Sequence, residues 1–261
     1  MQNALLVGTL VALLAGAIGY FVVLRGQSFA AHMLSQVGLP GAAAGVLVHT
    51  SPVLGLVVFC VGGALGIGWS GRSVDTGKRT ESAAIGSILA FSLALGLLFF
   101  RLYSGSAQGI YAFLFGTILG ITDRDVLVTA ITTLIGLAVI AIIGRPLLFA
   151  SVDPDAAEAR GVPLRAISMV FLILVALSVA VTVQVIGTLL IFALLVAPGA
   201  AAQGLTARPG AGLALTIAFS LVFVWFGLAI AYFTSLPVGF LVTSLAFAAY
   251  VFIRLLKARR T

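Results

Sequence analysis

The feature that most constrains this chain is a series of long apolar runs, separated by short connections that hold nearly all of its charges. A helix that crosses a bilayer needs about 20 mostly apolar residues, and nine runs meet or approach that length. They cover residues 4–24, 28–49, 52–70, 82–102, 126–144, 166–187, 188–204, 210–232 and 237–256. The pattern predicts an all-α, polytopic transmembrane helical bundle with eight or nine spans, because glycine and proline interrupt the run 188–204.

The small number of charged residues excludes a water-soluble fold. Hydrophobic residues make up 62% of the 261 positions and charged residues 8%, whereas a soluble domain carries roughly 25% charged residues. We expect residues 1–261 to form a single transmembrane domain, with the first apolar run retained because it lacks the basic segment of a cleaved signal. The stretch Gln108–Ile121 is apolar but short, which favours a re-entrant or interfacial helix.

The basic residues predict the orientation of the chain. If successive spans alternate in direction, twelve of the fourteen Lys and Arg residues fall on one side of the membrane. Only Arg101 and Arg124 fall on the other side. Basic residues concentrate on the cytoplasmic side, so the pattern predicts nine crossings, an external N-terminus and a cytoplasmic C-terminus. Because these residues lie at span ends and form no continuous stripe, the net charge of +7 does not indicate nucleic-acid binding.

One cytoplasmic connection, Ser151–Arg165, has the features of a short amphipathic helix. An acidic residue can cap its first turn, a proline follows at the first helical position, and a glycine can end it. We therefore predict a helix over about 153–163, with an ordinary solvated loop as the alternative. The polar and terminal positions of this segment are Asp153, Asp155, Glu158, Arg160 and Gly161.

Four stretches carry motifs that resemble one family when they are taken in order. Glu81–Leu95 reads ESAAIGSILAFSLAL, Tyr111–Asp125 reads YAFLFGTILGITDRD, and Gln184–Ala202 reads QVIGTLLIFALLVAPGAAA. With Ser151–Arg165, these stretches are similar to the ABC-3 family of bacterial metal-ion ABC permeases, which resemble type II ABC importers. The resemblance covers nearly the whole chain. In that family the loop corresponding to Ser151–Arg165 is the coupling helix, which docks into the ATPase subunit.

A fifth stretch, Ser28–Gly41, departs from the family pattern. Family members usually carry an Asp and a His one turn apart on the second helix, facing the translocation path as metal ligands. Here His32 stands at the Asp position and Gln36 at the His position, while the flanking serines and the Leu-Pro-Gly segment match. His32, Ser35 and Gln36 are spaced to share one helix face, and polar groups in a membrane helix usually face a cavity or partner. We expect this face to line the path, with interhelical hydrogen bonding as the alternative, and His32 to be the remaining metal donor.

The resemblance implies a membrane-spanning permease subunit of an ATP-driven importer for manganese, zinc or iron(II) in the bacterial plasma membrane. It implies a second permease copy, most simply a homodimer, a separate ATP-binding cassette ATPase and an extracellular or periplasmic substrate-binding protein. The chain has no phosphate-binding loop of the Gly-x-x-x-x-Gly-Lys-Ser/Thr type, so we expect it to be no enzyme, to need no cofactor, and to leave ATP to the partner. The alternatives are a permease for a metal complex or small organic solute and a secondary transporter, although the latter needs mid-span carboxylates.

Overall fold

The computed structural model describes residues 2–70, 77–102, 121–234 and 236–258, and all regular structure in these ranges is helical. The helices are α1 (Gln2–Leu24), α2 (Ser28–Leu47), α3 (Pro52–Ser70), α4 (Gly77–Leu102), α5 (Asp123–Val152), α6 (Pro154–Ala159), α7 (Leu164–Ile186), α8 (Thr188–Leu205), α9 (Pro209–Phe233) and α10 (Val238–Ala258). Apart from the short α6, each helix coincides in order with one predicted apolar run. The all-α prediction is therefore confirmed.

Six of the described helices are long and apolar enough to cross a membrane. These six are α1, α3, α5, α7, α9 and α10. The prediction of eight or nine spans therefore stays a prediction, and the interfacial helix predicted at Gln108–Ile121 lies outside the described residues except for Ile121. The predicted end of α5 at residue 144 was too early, because the helix continues through Pro146 to Val152. A proline costs a helix one backbone hydrogen bond, which neighbouring groups in a membrane bundle can compensate.

Helix α1 occupies the centre of the bundle and packs against α5, α8 and α9. Buried residues make up 72% of its most apolar window, against 22% for α5 and α10. Its contact with α8 is close because both helices present glycine: a Cβ on Gly19 would lie 2.6 Å from the Leu195 carbonyl oxygen, and a Cβ on Gly199 would lie 2.9 Å from that of Gly19. Small residues allow such backbone contact in lipid, where apolar side chains alone give helices little reason to associate.

Helix α2 is held on several sides, by α3, α4, α7 and α8. Its contact with α3 is the closest in the part of the bundle described, because Gly41 faces Gly55 backbone to backbone. Further along the same interface the Cys60 thiol donates to the Leu34 carbonyl oxygen at 3.5 Å. Since α2 carries the polar face predicted above, these contacts fix where that face points.

Two polar clusters mark opposite ends of the bundle. At one end the Asn3 side chain donates to the Asp123 carboxylate at 2.9 Å, which joins the start of α1 to the start of α5. Thr122 and Asp125 form a reciprocal capping box that fixes this end of α5. At the other end, Arg25 joins the α1–α2 turn to α5 and α7. Helices α1 and α5 therefore run in the same direction, as expected for the first and fifth spans of a chain whose spans alternate.

Candidate substrate path and coupling segment

His32 lies in the first turns of α2 and faces α8. Its ring packs edge-on against Phe192, with ring centroids 4.5 Å apart and an interplanar angle of 61°. The His32 Nδ1 atom is buried and has no hydrogen-bond partner among the residues described. A buried polar atom without a partner costs on the order of 1–3 kcal/mol, so such an atom calls for a functional or structural explanation. A neutral imidazole also offers one lone pair, the feature that metals bind.

The other two residues of the predicted face differ in their surroundings. Ser35 is fully buried, and its hydroxyl donates to the His32 carbonyl oxygen of the same helix at 2.7 Å. That bond occupies the Ser35 proton but leaves the oxygen free to accept. Gln36 is half-buried one turn after His32. Of the three residues, His32 therefore has the donor chemistry best suited to a cation, since an amide is a poor ligand for a divalent metal.

A groove of about 790 Å³ runs between α8 and α10, beside His32. Its wall is mostly apolar, with polar groups contributed by Thr243, Ser244 and Tyr250. Phe192 belongs to this wall and also contacts the His32 ring. His32 itself is not among the residues that line the groove.

In the predicted metal-binding region, the described residues contain no group of three or more His, Cys, Asp or Glu side chains arranged to hold a metal ion. All seven acidic residues of the sequence lie outside the centres of the apolar runs. The second histidine, His49, is exposed in the turn between α2 and α3 and has a φ of 57°. The structure therefore does not bring the two histidines of the chain together.

The loop predicted as a coupling helix contains α6, Pro154–Ala159. The Asp153 carboxylate caps it by accepting from the Ala156 backbone N–H at 3.0 Å. After the helix, Gly161 has a φ of 77°, a value that L-residues with side chains rarely adopt. The Gly161 and Val162 N–H groups donate back to the carbonyls of Glu158 and Ala157, which satisfies the last turn.

The exposed side of α6 is charged, whereas its inner side is anchored. Ala157 is fully buried, while Asp155, Glu158 and Arg160 are exposed. The Arg160 guanidinium lies over the Phe149 ring at 5.6 Å, which connects the segment to the end of α5. The segment thus presents opposite charges on a firmly capped helix, a surface suited to contact with another protein.

Arg25 carries no functional motif in the sequence, but the structure places it against the two helices that flank this segment. Its guanidinium donates to the Ser168 hydroxyl of α7 at 2.5 Å and to the Ser151 hydroxyl of α5 at 3.4 Å. It also lies over the Phe171 ring at 5.9 Å. Arg25 therefore joins the turn that begins α2 to the two helices on either side of α6. A basic residue at a span end was the only sequence signal, and such residues are common.

Phe192 was also missed, because one phenylalanine among eighteen carries no distinguishing pattern. Gln203 has a structural role, because its side-chain amide donates to the Tyr20 carbonyl oxygen at 3.2 Å and so links α8 to α1. Glu81 lies within α4, but its side chain is outside the described part of the structure.

These features define a class: a multi-pass, α-helical integral membrane protein with a polar residue on an inner helix and a short capped helix in one connection. The model of the ABC 3 transport family matches residues 1–257. The chain belongs to the ABC 3 transport family, as the sequence motifs predicted.

Similar proteins extend over most of this chain. It is 32% identical over 222 residues to the manganese transport system membrane protein MntC of Halalkalibacterium halodurans, covering 85% of this chain and 75% of the relative. It is 32% identical over 203 residues to the manganese import system permease protein ScaB of Streptococcus parasanguinis, covering 77% and 71%. Among solved structures, PsaBC from Streptococcus pneumoniae in complex with Fab matches with a TM-score of 0.84 and 28% identity, covering 97% of this chain and 90% of that one.

Proposed function

We propose that this chain is the membrane-spanning permease subunit of an ATP-driven importer of divalent metal ions, with manganese as the first candidate. The observation that carries the proposal is the likeness to manganese transport and import permeases, which covers 85% and 77% of this chain in the two relatives described above. Zinc and iron(II) are the other candidate cargoes. The chain itself is not catalytic in this proposal, because ATP is hydrolysed by a separate ATP-binding cassette ATPase.

In the proposed assembly, two copies of the chain form the translocation path along their shared axis in the bacterial plasma membrane. A substrate-binding protein delivers the ion at the external face. The ATPase contacts α6 at the cytoplasmic face, on which the C-terminus also lies. Support for this arrangement comes from the distribution of basic residues and from the capped, charge-bearing surface of α6.

His32 is the metal donor of the path in this proposal, with Ser35 and Gln36 supplying neighbouring polar atoms. One imidazole binds a divalent ion weakly, and it cannot neutralise the ion's charge. A second copy of the chain would bring a second His32 to the axis. This chemistry favours a path that holds the ion only in passing, in keeping with a transporter.

The test is metal uptake by the assembled transporter in cells that lack their own manganese importer. His32→Ala should abolish manganese uptake while leaving the amount of membrane-inserted protein unchanged. The matched control is His49→Ala, which removes the exposed histidine of the α2–α3 turn and should leave uptake at the parent level.

A gain-of-function variant sharpens this test. His32→Asp combined with Gln36→His restores a carboxylate and an imidazole one turn apart, which should raise or broaden divalent cation uptake because the path is of low dielectric. If His32→Ala transports manganese like the parent and the double variant gains nothing, the face is not a metal site. The replacement of the family carboxylate would then favour a metal complex or a small organic solute as cargo.

A further inference from the structure

We infer that Arg25 is a positioning residue that passes a displacement of α6 to the start of α2, the helix that carries His32, Ser35 and Gln36. The inference rests on the proposed function, because α6 is displaced in transport only if an ATPase docks on it. Its structural support is the set of contacts that Arg25 makes with the two helices on either side of α6.

The first step concerns the attachment of α6 to the rest of the bundle. Among the described helices, α6 packs against α5 and α7, which precede and follow it in the chain. The Asp153 N–H donates to the Phe149 carbonyl oxygen at 3.0 Å, and the Arg160 guanidinium lies over the Phe149 ring. A force on α6 is therefore carried to the last turn of α5 and to the beginning of α7.

The second step is that Arg25 contacts both of these helix ends. Two of its nitrogen atoms donate to different hydroxyls, Nη2 to Ser168 of α7 at 2.5 Å and Nη1 to Ser151 of α5 at 3.4 Å. The Ser151 hydroxyl donates its own proton to the Leu147 carbonyl oxygen, so its oxygen serves Arg25 as an acceptor. Because a guanidinium is planar and its N–H groups form a rigid fork, one side chain fixes the direction of both bonds.

The third step is that the connection from Arg25 to α2 is short and closed by hydrogen bonds. The Gln27 N–H donates to the Val22 carbonyl oxygen near the end of α1, and the Gln27 carbonyl oxygen accepts from the Ala31 N–H in the first turn of α2. The Arg25 Nε atom also donates to the Gln27 side-chain oxygen at 3.4 Å. A displacement of Arg25 therefore moves the start of α2, and His32 directly follows Ala31.

The surroundings of Arg25 hold its charge in one place. Its guanidinium lies over the Phe171 ring at 5.9 Å, and that fully buried ring packs edge-on against Phe21 of α1. Apolar contacts between helices are non-directional, whereas hydrogen bonds weaken steeply when their angles change. Arg25 therefore gives the contact of α2 with α5 and α7 a directional component that apolar packing does not supply.

The consequence is that Arg25 should affect coupling more than either activity alone. Coupling between distant sites is carried by hydrogen-bond networks and rigid helices. Without the Arg25 contacts, an ATPase can still dock on α6 and hydrolyse ATP, but less of the displacement reaches α2. The signature is a fall in the number of manganese ions imported per ATP hydrolysed. A purely structural role would lower uptake and hydrolysis by the same factor and leave their ratio unchanged.

The experiment uses the permease assembled with its ATPase and substrate-binding protein in proteoliposomes, and it measures radioactive manganese uptake and phosphate release on the same preparation. Arg25→Gln removes the charge and the fork, and it should lower the ratio of uptake to hydrolysis by roughly fivefold or more. Arg25→Lys keeps the charge on a flexible side chain and should give an intermediate ratio. Ser168→Ala removes one acceptor and should lower the ratio by roughly twofold. Ser151→Ala should have the smaller effect, because its bond to Arg25 is the longer one.

The matched control is Ser178→Ala, the same substitution in the same helix at a buried hydroxyl that has no hydrogen-bond partner among the described residues. It should leave the ratio at the parent value. Arg25→Gln combined with Ser168→Ala should lower the ratio no further than Arg25→Gln alone, because both changes remove one link. A parent ratio in Arg25→Gln, or equal falls in Ser168→Ala and Ser178→Ala, would overturn the inference.

The outcome for Arg25 is separable from the outcome for the proposed function. If the parent imports manganese and the Arg25 variants keep its ratio, the function stands and the positioning role fails. If the parent imports no manganese, the proposed cargo fails, and the readout becomes the increase in ATP hydrolysis that the substrate-binding protein causes through the permease. Arg25→Gln should then reduce that increase while leaving the basal hydrolysis rate near the parent value, and an unchanged increase would overturn the positioning role.

Discussion

The close contact between α2 and α3 gives a prediction whose size follows from the structure. A Cβ added at Gly41 would lie 2.5 Å from the Gly55 carbonyl oxygen and 2.7 Å from the Phe59 Cβ. The first distance is about 1 Å inside the roughly 3.5 Å at which non-bonded heavy atoms attract most strongly. Because one of the atoms belongs to the backbone, the Gly41→Ala clash cannot be relieved by turning a side chain, and the helices must separate.

Overpacking of this kind costs about 1–3 kcal/mol of folding free energy. Replacing glycine by alanine also favours a helix by up to about 1 kcal/mol, so the control must contain the same change in propensity. Gly62→Ala in α3 provides it, because a Cβ at Gly62 meets no atom within 4 Å. Gly41→Ala should therefore be less stable than Gly62→Ala by about 1–3 kcal/mol.

The assay is unfolding of the purified chain in mixed micelles with increasing sodium dodecyl sulfate, followed by tryptophan fluorescence. The chain has two tryptophans, and Trp69 lies in α3, one of the two helices whose contact is perturbed. Gly41→Ala should unfold at a lower dodecyl sulfate fraction than the parent, whereas Gly62→Ala should match or exceed the parent. Coincident curves for the two variants would refute the close backbone contact.

Two further variants test other parts of the structure. Reversing both charges of the coupling segment, with Glu158→Lys and Arg160→Glu, should uncouple ATP hydrolysis from uptake while the protein stays in the membrane, and unimpaired uptake would count against docking of α6 into an ATPase. Arg25→Ala removes the hydrogen bonds that a charged group donates to Ser151 and Ser168, so it should destabilise the fold by about 2 kcal/mol in the same micelle titration. Arg208→Ala, at an exposed position, is the control and should shift the curve little.

The local features of the fold could be read from the sequence because their causes are local. Apolar length predicted the order of the long helices, and the all-helical architecture is confirmed. Asp153, Pro154 and Gly161 act within a few residues of chain, so the short helix between α5 and α7 could be placed before its neighbours were known. The family followed from motifs in order. The apolar run ended at residue 144, before Pro146, whereas α5 continues through this proline to Val152.

The pairing of helices was outside the reach of sequence reasoning. Lipid tails are as apolar as the side chains of a membrane helix, so hydrophobicity does not favour one helix pair over another. Hydropathy therefore does not encode which helices meet. Nothing in the sequence indicated that Gly41 would face Gly55 or that Gly19 would face Gly199.

In the candidate site, too, some features follow from the sequence and others follow only from the tertiary structure. Sequence alone determined that this chain is an apolar helical bundle and that residues 32, 35 and 36 share a helix face, because helical periodicity and composition are properties of contiguous residues. Its motifs, taken in order, resembled the family that the family model confirms. Only the tertiary structure decided that Phe192 packs edge-on against His32 and that Arg25 donates to Ser151 and Ser168. These contacts join residues more than a hundred positions apart, which come together through the packing of whole helices and not through any local preference.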